Sequence, residues 1–163
     1  MNPKRQHPPQ AANECDASAS AAAGGAAQEA FLNVLKTADV LQNELAGVLK
    51  PGELSPTQYN VLRILRGAGA GGMPCGHIAG RMLSHDPDIT RLLDRLESRA
   101  LIERFRDKAD RRVVRAQITA AGKKLLGRLD EPVMALHERQ LGHLGARDLK
   151  MLAGLLGRAR ERT

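Results

Sequence analysis

The chain has few aromatic residues and no long apolar run. Its 163 residues include no Trp, one Tyr and two Phe, although 42% of them are hydrophobic. The length fits one domain, whose core must be built from aliphatic side chains. No apolar run reaches the roughly 18 residues that a membrane span requires. The alanine-rich opening contains Glu14 and Asp16 and lacks the leucine-rich centre of a secretory signal, so we expect a cytoplasmic protein.

Cysteine is also scarce, since the chain contains two such residues, Cys15 and Cys75, far apart in sequence. We therefore expect free thiols and no structural disulfide. Cys75 with His77 could form a nucleophile and base, but no orienting third residue or glycine-rich phosphate loop accompanies them. We expect no enzyme. A buried, inert Cys75 is the main interpretation, and a redox-active thiol is the alternative.

Metal-ligand spacing is missing as well. A zinc site is typically marked by paired histidines four residues apart on a helix or by closely spaced cysteines. The chain has neither arrangement among the available side chains, which are His77, His85, Asp86 and Asp88. We expect neither a metal nor a cofactor.

Positive charge is what the chain has in excess. The formal net charge is +7, which favours nucleic acid or an anionic membrane surface as the partner. Between Arg99 and Arg128 there are ten basic and three acidic residues, so the whole formal excess lies in this segment. It includes two strands predicted from alternating side chains, separated by a polar break at 107–110. The pattern predicts a basic β-hairpin, although charge on an edge strand can also serve only to prevent aggregation.

A helix precedes this hairpin directly. Ile89, Leu92, Leu93 and Leu96 recur at helical spacing and predict one buried stripe. Asp86 and Pro87 suit the N-cap and first helical position, so the helix should start near Pro87 and end near Arg99 or Ala100. A slim helix beside concentrated positive charge is typical of a protein that reads the major groove of duplex DNA.

The rest of the chain predicts further helices around this unit. Residues 1–28 are rich in Ala, Ser, Gly and Pro and predict a disordered arm, and a single domain should cover 29–163. We expect an amphipathic helix from Glu29 to about residue 50, a second helix from Ser55 and Pro56, and a short third over roughly 75–83. Helix, turn, helix and hairpin within 53–119 is the order of a winged helix-turn-helix. The fold class is therefore mainly α with a small β-hairpin wing.

The last part of the chain predicts two more helices. Thr119 is a plausible N-cap for a long one, which Pro132 should kink and Gly142 and Gly145 should end. The helices at 29–50 and 120–163 carry more apolar surface than a small reading head could cover. We interpret them as dimerisation helices that pack against a second copy, and a closed monomeric core is the alternative.

Three segments resemble the multiple-antibiotic-resistance regulator (MarR) family of bacterial transcription factors. They are LSPTQYNVLRIL, DPDITRLLDRLESRALIER and DKADRRVVRAQIT, and the resemblance covers about residues 29–160. The wing pattern of this family is matched by Asp110, Arg112, Ile118 and Thr119. The resemblance implies a homodimer that binds a pseudo-palindromic operator, usually as a repressor that a small phenolic or anionic ligand or an oxidant releases.

The resemblance also implies roles for individual residues. Arg112 would enter the minor groove, where a narrow groove favours a guanidinium, and Asp110 would hold the hairpin tip. Lys108 and Arg111 would reach DNA from the same hairpin. We place major-groove contacts on the helix, at Pro87, Asp88, Thr90, Arg91 and Arg95.

The sequence departs from the family pattern in two places. Ala100 stands where the family usually has Gly, which costs about 1 kcal/mol if the backbone there needs a positive φ. Asp86 and Asp88 stand at the front of the reading helix, where Ser or Thr is common, and carboxylates there repel phosphate. We hypothesise that Asp88 accepts a hydrogen bond from a cytosine amino group, whereas the alternative is that it only stabilises the helix N-terminus.

The sequence therefore predicts a sequence-specific, double-stranded DNA-binding transcriptional regulator. We expect a ligand-responsive repressor that acts as a homodimer on a pseudo-palindromic operator, with an unknown effector. The alternative is an architectural protein that binds any duplex without sequence preference and without a ligand.

Overall fold

The fold class predicted from the sequence is confirmed. The computed structural model describes residues 12–83 and 88–161, with side chains from residue 24 onward. The chain divides after Val40 into two compact units. The described helices are α1 (Ala12–Leu49), α2 (Pro56–Ala68), α3 (Cys75–Ala79), α4 (Ile89–Ser98), α5 (Ala120–Leu141) and α6 (Gly145–Arg160).

Three strands form one small antiparallel sheet. They are β1 (Met73–Pro74), β2 (Ile102–Arg106) and β3 (Val114–Ile118), in the order β1-β3-β2. In the register of the hairpin Ile102 faces Ile118, and Arg106 faces Val114. The sequence predicted the hairpin and missed β1, because two residues are too short for an alternating pattern to be visible.

Helix α1 begins at Ala12, upstream of the start predicted at Glu29. The part of the expected disordered arm from 12 to 28 is thus helical in the structure. Alanine loses the least conformational entropy in a helix, and this alanine-rich stretch continues the helix from 29 toward the N-terminus. Residues 1–11 of the expected arm lie outside the described residues.

Two other helix boundaries differ from the predictions. Helix α3 ends at Ala79, before the expected end near Leu83. Helix α4 begins at Ile89 with Asp88 as its N-cap, so the cap is not Asp86. Asp86 and Pro87 lie outside the described residues. The sequence offered an acidic residue at both 86 and 88, and either could cap the following amides.

The core of the second unit is aliphatic, as the composition predicts. Leu62 and Leu65 from α2, Leu93 and Leu96 from α4 and Ile102 from β2 belong to one buried cluster. The predicted stripe of α4 is therefore buried, with Ile89 packed at its border. This core fixes α4 and the hairpin against α2.

Local capping explains where α2 and α5 begin. Ser55 accepts a bond from the Gln58 amide at 3.1 Å, and Gln58 accepts one from the Ser55 amide at 3.0 Å. Together these bonds form a capping box, which satisfies two amides that a helix start leaves open. Thr119 caps α5 as predicted, through its bond from the Gly122 amide. Helix α5 continues through Pro132 and ends at Leu141, before a short 3₁₀ turn over Gly142–Leu144.

The backbone at Ala100, where the family usually has Gly, is left-handed. Its φ is +53°, a left-handed value that favours glycine. The amide of Leu101 donates to the Leu96 carbonyl at 3.0 Å, which closes the C-terminus of α4 directly before β2.

Candidate nucleic-acid interface

The exposed face of α4 carries polar and charged side chains. Thr90, Arg91 and Arg95 are exposed, whereas Leu92 and Leu93 on the opposite side are buried. The Arg91 side chain is 79% exposed. This face could therefore meet a groove of DNA without disturbing the core.

Asp88 is tied to Arg91 at the start of α4. Its Oδ1 accepts a bond from the Arg91 amide at 3.1 Å, and its Oδ2 lies 3.0 Å from Arg91 Nε. The first contact is an N-cap, which supports the alternative that Asp88 stabilises the helix start. Readout of cytosine by Asp88 stays a prediction, and it would compete with these two contacts. The major-groove contact expected at Pro87 lies outside the described residues.

The tip of the hairpin, residues 107–113, is shaped by Asp107. Its Oδ1 accepts bonds from the amides of Ala109 at 2.8 Å and Asp110 at 3.3 Å. The amide of Asp107 in turn donates to the Val113 carbonyl at 2.9 Å. Chiefly the Ala109 amide, with the Asp110 amide and Arg115, holds the pKa of the Asp107 carboxyl below its usual range.

This wing tip directs two arginines and a lysine outward. Asp110 Oδ1 accepts bonds from the Arg112 amide at 3.0 Å and from Arg112 Nε at 3.3 Å. The Arg112 side chain is nevertheless 93% exposed, and Lys108 and Arg111 are exposed beside it. Asp110 thus contacts Arg112, whose side chain remains exposed. That Asp110 holds the hairpin tip and that Arg112 enters the minor groove stay predictions.

Other arginines counted in the basic hairpin are engaged within the protein. Arg115 donates to the carbonyls of Gly71 at 2.8 Å and Gly72 at 3.0 Å, and to Asp107 Oδ2 at 2.9 Å. Arg104 bonds two carboxylates of α4, those of Asp94 and Glu97. The surplus charge of the hairpin is therefore smaller at its outer surface than the sequence count indicated.

Arg99 is also engaged within the protein. Its guanidinium donates to the carbonyls of Gly52 and Glu53 in the turn between α1 and α2. Sequence reasoning missed the partners of these three arginines, because they come from residues distant in the chain or follow no local spacing rule.

Of the candidate catalytic and metal residues, the structure describes Cys75, His77 and Asp88, whereas His85 and Asp86 lie outside the described residues. Burial raises the pKa of the half-buried Cys75 thiol, which makes it a poorer nucleophile. His77 is exposed on α3. Among the described residues no group of three or more His, Cys, Asp or Glu side chains could hold a metal ion. Nor does any described helix combine the length and apolarity needed to cross a bilayer.

The same sequence pattern and architecture occur in a known protein family. The model of the MarR family matches residues 54–114. The chain is 31% identical over 105 residues to the HTH-type transcriptional regulator MhqR of Bacillus subtilis (strain 168), covering 64% of this chain and 71% of that protein. The chain also matches a second Bacillus subtilis regulator, of whose length it covers 60%.

Solved structures of the same family are similar over most of the chain. A MarR transcription factor from Planctomyces limnophilus is 46% identical, with 80% of this chain and 94% of that chain covered and a TM-score of 0.63. A cysteine-to-serine variant of MarR from E. coli, crystallised with operator DNA, is 25% identical, covers 80% and 92%, and has a TM-score of 0.73. The chain therefore belongs to the MarR family of transcriptional regulators.

Proposed function

We propose that this protein is a regulator that binds double-stranded DNA with sequence specificity, as a homodimer and under the control of a small ligand. The observation that carries the proposal is the pairing of two exposed elements on one buried hydrophobic core. The polar face of α4 presents Thr90, Arg91 and Arg95, and the wing tip presents Lys108, Arg111 and Arg112. A similar MarR protein has been crystallised with operator DNA.

In this proposal the two elements have different tasks. Side chains on α4 reach base edges in the major groove, where each base pair presents its own pattern of donors and acceptors. Arg112 enters the minor groove, and Lys108 and Arg111 neutralise phosphates and so add affinity without reading sequence. Asp110 restricts the motion of Arg112 before DNA is bound, through its bonds to the Arg112 amide and Nε.

Selection of bound duplexes from a random pool at near-physiological salt tests this function. We expect a two-fold symmetric consensus, and for Arg95→Ala a consensus relaxed at one position in each half-site, because the shortened side chain no longer reaches a base edge. Arg147→Ala is the matched control, since Arg147 is exposed on α6, outside the reading head. Strong, salt-sensitive binding with no enriched sequence would instead identify an architectural protein.

Exposed apolar side chains support the proposal that the protein is a homodimer. In the first unit Phe31 is 60% and Leu35 is 53% exposed on α1, and in the second unit Met151 is 57% and Leu155 is 51% exposed on α6. On each of the two helices the two side chains are four residues apart, about one helical turn, and exposed apolar surface of this kind often marks a protein–protein interface. A second copy of the chain would cover them, and its symmetry would set two copies of α4 about one DNA turn apart.

Sedimentation velocity tests the dimer. Leu155→Glu should shift the equilibrium toward monomer, because it buries a charge in the proposed interface. Lys150→Glu, an exposed polar position of the same helix, is the control and should remain dimeric. A wild-type protein that stays monomeric at micromolar concentration would contradict this part of the proposal.

A cavity of about 160 Å³ supports the proposal that a small ligand controls this protein. It lies between the C-terminal part of α1, α2 and α5, and its lining includes Leu45, Tyr59, Arg63 and His137. The volume is close to the roughly 150 Å³ of a protein cavity known to accept benzene. Arg63 supplies positive charge, and its Cζ lies 5.8 Å from the centre of the Tyr59 ring. We therefore propose a compact aromatic anion as the effector.

Thermal unfolding with small aromatic carboxylates tests the cavity. A ligand that binds only the folded protein raises the melting temperature as its concentration rises. We expect benzoate-sized anions to do so and to weaken DNA binding, and we expect Arg63→Gln to abolish both effects. A rise in melting temperature that survives in Arg63→Gln would place the ligand elsewhere.

A further inference from the structure

We infer that Arg104 is a positioning residue for DNA recognition, which holds α4 against the wing and neutralises two carboxylates on that helix. This inference rests on the proposed DNA-binding function. It assigns Arg104 a task different from the phosphate contact that its place in the basic hairpin would indicate.

The geometry of the contact is that of a clamp between β2 and α4. Nη2 of Arg104 lies 2.6 Å from Asp94 Oδ1 and 2.6 Å from Glu97 Oε2, and its Nε lies 2.8 Å from the same Glu97 oxygen. The backbone amide of Arg104 also donates to Glu97 Oε1 at 2.9 Å. One residue of the strand thus binds two residues of the reading helix that are one turn apart, which fixes the angle between the two elements.

The two carboxylates lie near the surface that should meet DNA. Asp94 follows Thr90 by four residues, one helical turn along the exposed face of α4, and its side chain is 52% exposed. A carboxylate close to the phosphate backbone opposes binding, unless a cation nearby compensates it. Arg104 provides this compensation, because it lies within hydrogen-bond distance of both acids.

Arg104 is poorly placed to serve phosphate itself. Its side chain is 26% exposed, against 93% for Arg112, and its Nε and Nη2 are already directed at carboxylates. The bonds from Arg104 hold the pKa of the Glu97 carboxyl below its usual range, so both partners stay ionised near neutral pH. The positive charge of Arg104 is therefore compensated inside the reading head, where it supports the orientation of Thr90, Arg91 and Arg95.

Three variants separate the clamp from a phosphate contact. A fluorescein-labelled duplex, carrying the selected consensus, is titrated at several salt concentrations. Arg104→Gln should bind about tenfold more weakly, with the slope of log affinity against log salt unchanged. Arg104→Lys keeps the charge but cannot bridge both acids, so it should bind almost as weakly. Asp94→Asn should raise DNA affinity more in the Arg104→Gln background than in the wild type. In the Arg104→Gln background the Asp94 carboxylate has no compensating guanidinium.

A phosphate contact predicts the opposite results. Arg104→Lys would then bind nearly as well as the wild type, and Asp94→Asn would add the same affinity in both backgrounds. Arg104→Gln would lower the salt slope by about one for each phosphate that is no longer neutralised. Any of these three results overturns the inference.

An NMR titration of the Glu97 carboxyl provides a readout that needs no DNA. In Arg104→Gln the pKa of Glu97 should rise toward its ordinary range, and circular dichroism should show that the variant is folded. If the wild type binds no duplex even at low salt, the proposed function fails, and the Glu97 titration still decides whether the clamp exists. An unchanged Glu97 pKa in a folded Arg104→Gln protein would contradict the clamp.

Discussion

The wing contains two sets of arginines with the same charge and different surroundings. At the wing tip, residues 107–113, the Arg112 side chain is 93% exposed and is bonded to its near neighbour Asp110. At the wing base, which we define as Arg104 and Arg115 with the groups they bond, each side chain is 26% exposed. Arg104 joins β2 to α4, and Arg115 joins β3 to Gly71 and Gly72. Sequence composition cannot tell these two sets apart.

The difference shows how an arginine acquires a function. A guanidinium with five N–H donors can join several acceptors of the protein, and its charge is then largely compensated where it lies. The same group on a tight, exposed turn remains available to an external anion. We therefore expect changes at the base to act on stability and on the orientation of α4, and changes at the tip to act on DNA affinity.

The largest effect on stability is expected from adding a side-chain carbon at the wing base, where the backbone leaves no room for one. Gly72 has a φ of +57°, and a Cβ there would lie 2.4 Å from the Ala116 carbonyl oxygen of β3. Gly72→Ala should lower the free energy of unfolding by about 2–4 kcal/mol through backbone strain and overpacking. Gly71→Ala is the matched control, because its Cβ would meet nothing closer than Arg115 at 4.0 Å. Urea unfolding measures both, and equal stability of the two variants would contradict the close packing of the base.

The next prediction compares one substitution at the wing tip with one at the wing base, by their effects on DNA affinity and on stability. Arg112→Ala should weaken DNA binding by about 10- to 100-fold, as expected for one good groove contact in each protomer, and should leave stability nearly unchanged. Arg115→Gln should do the reverse, because it removes bonds to two backbone carbonyls and one carboxylate. Fluorescence anisotropy and thermal unfolding of both variants give the comparison, which fails if Arg112→Ala unfolds more easily than Arg115→Gln.

A smaller effect is expected where α4 joins the base. Ala100 has a positive φ of +53°, so Ala100→Gly should raise the free energy of unfolding by about 0.5–1 kcal/mol. Ala120→Gly is the control, since it lies at the first position of α5, where glycine offers no relief. A loss of stability in Ala100→Gly would show that the left-handed backbone costs less than the freedom that glycine adds to the unfolded chain.

The smallest effect is the loss of wing stability in acid. It depends on Asp107, which bonds both the wing tip and the wing base. Asp107 accepts bonds from the tip amides and from Arg115, and its folded-state pKa is lowered. A lowered pKa means that these bonds stabilise the wing fully above the unfolded pKa, about 4, and are lost as the pH falls below it through the folded pKa. Hydrogen exchange of the Ala109 amide should therefore accelerate relative to core amides in that acid range. In Asp107→Asn the acid-dependent step should disappear.

Local rules made much of the fold visible in the sequence. The stripe of Leu92, Leu93 and Leu96, the cap at Thr119 and the alternating strands of the hairpin each depend on neighbours within a few residues. The sequence also marked Ala100 as a position where a positive φ would be costly, because the family usually has glycine there, but it left the backbone conformation open.

What the sequence did not reveal depends on long-range contacts. The bonds of Arg115 to Gly71 and Gly72, and of Arg99 to Gly52 and Glu53, join segments more than forty residues apart and follow no spacing rule. The early start of α1 was missed for another reason, since an alanine-rich stretch can be read either as a low-complexity arm or as a helix.

The most direct test of the distinction between tip and base is an NMR titration of arginine side chains. The Nε–Hε signals of Arg104, Arg112 and Arg115 are followed as a duplex with the selected consensus is added. We predict that the Arg112 signal shifts strongly and becomes protected from exchange with water, whereas the signals of Arg104 and Arg115 stay close to their positions in the free protein. An unchanged Arg112 signal, or shifts of Arg104 and Arg115 as large as that of Arg112, would contradict this account.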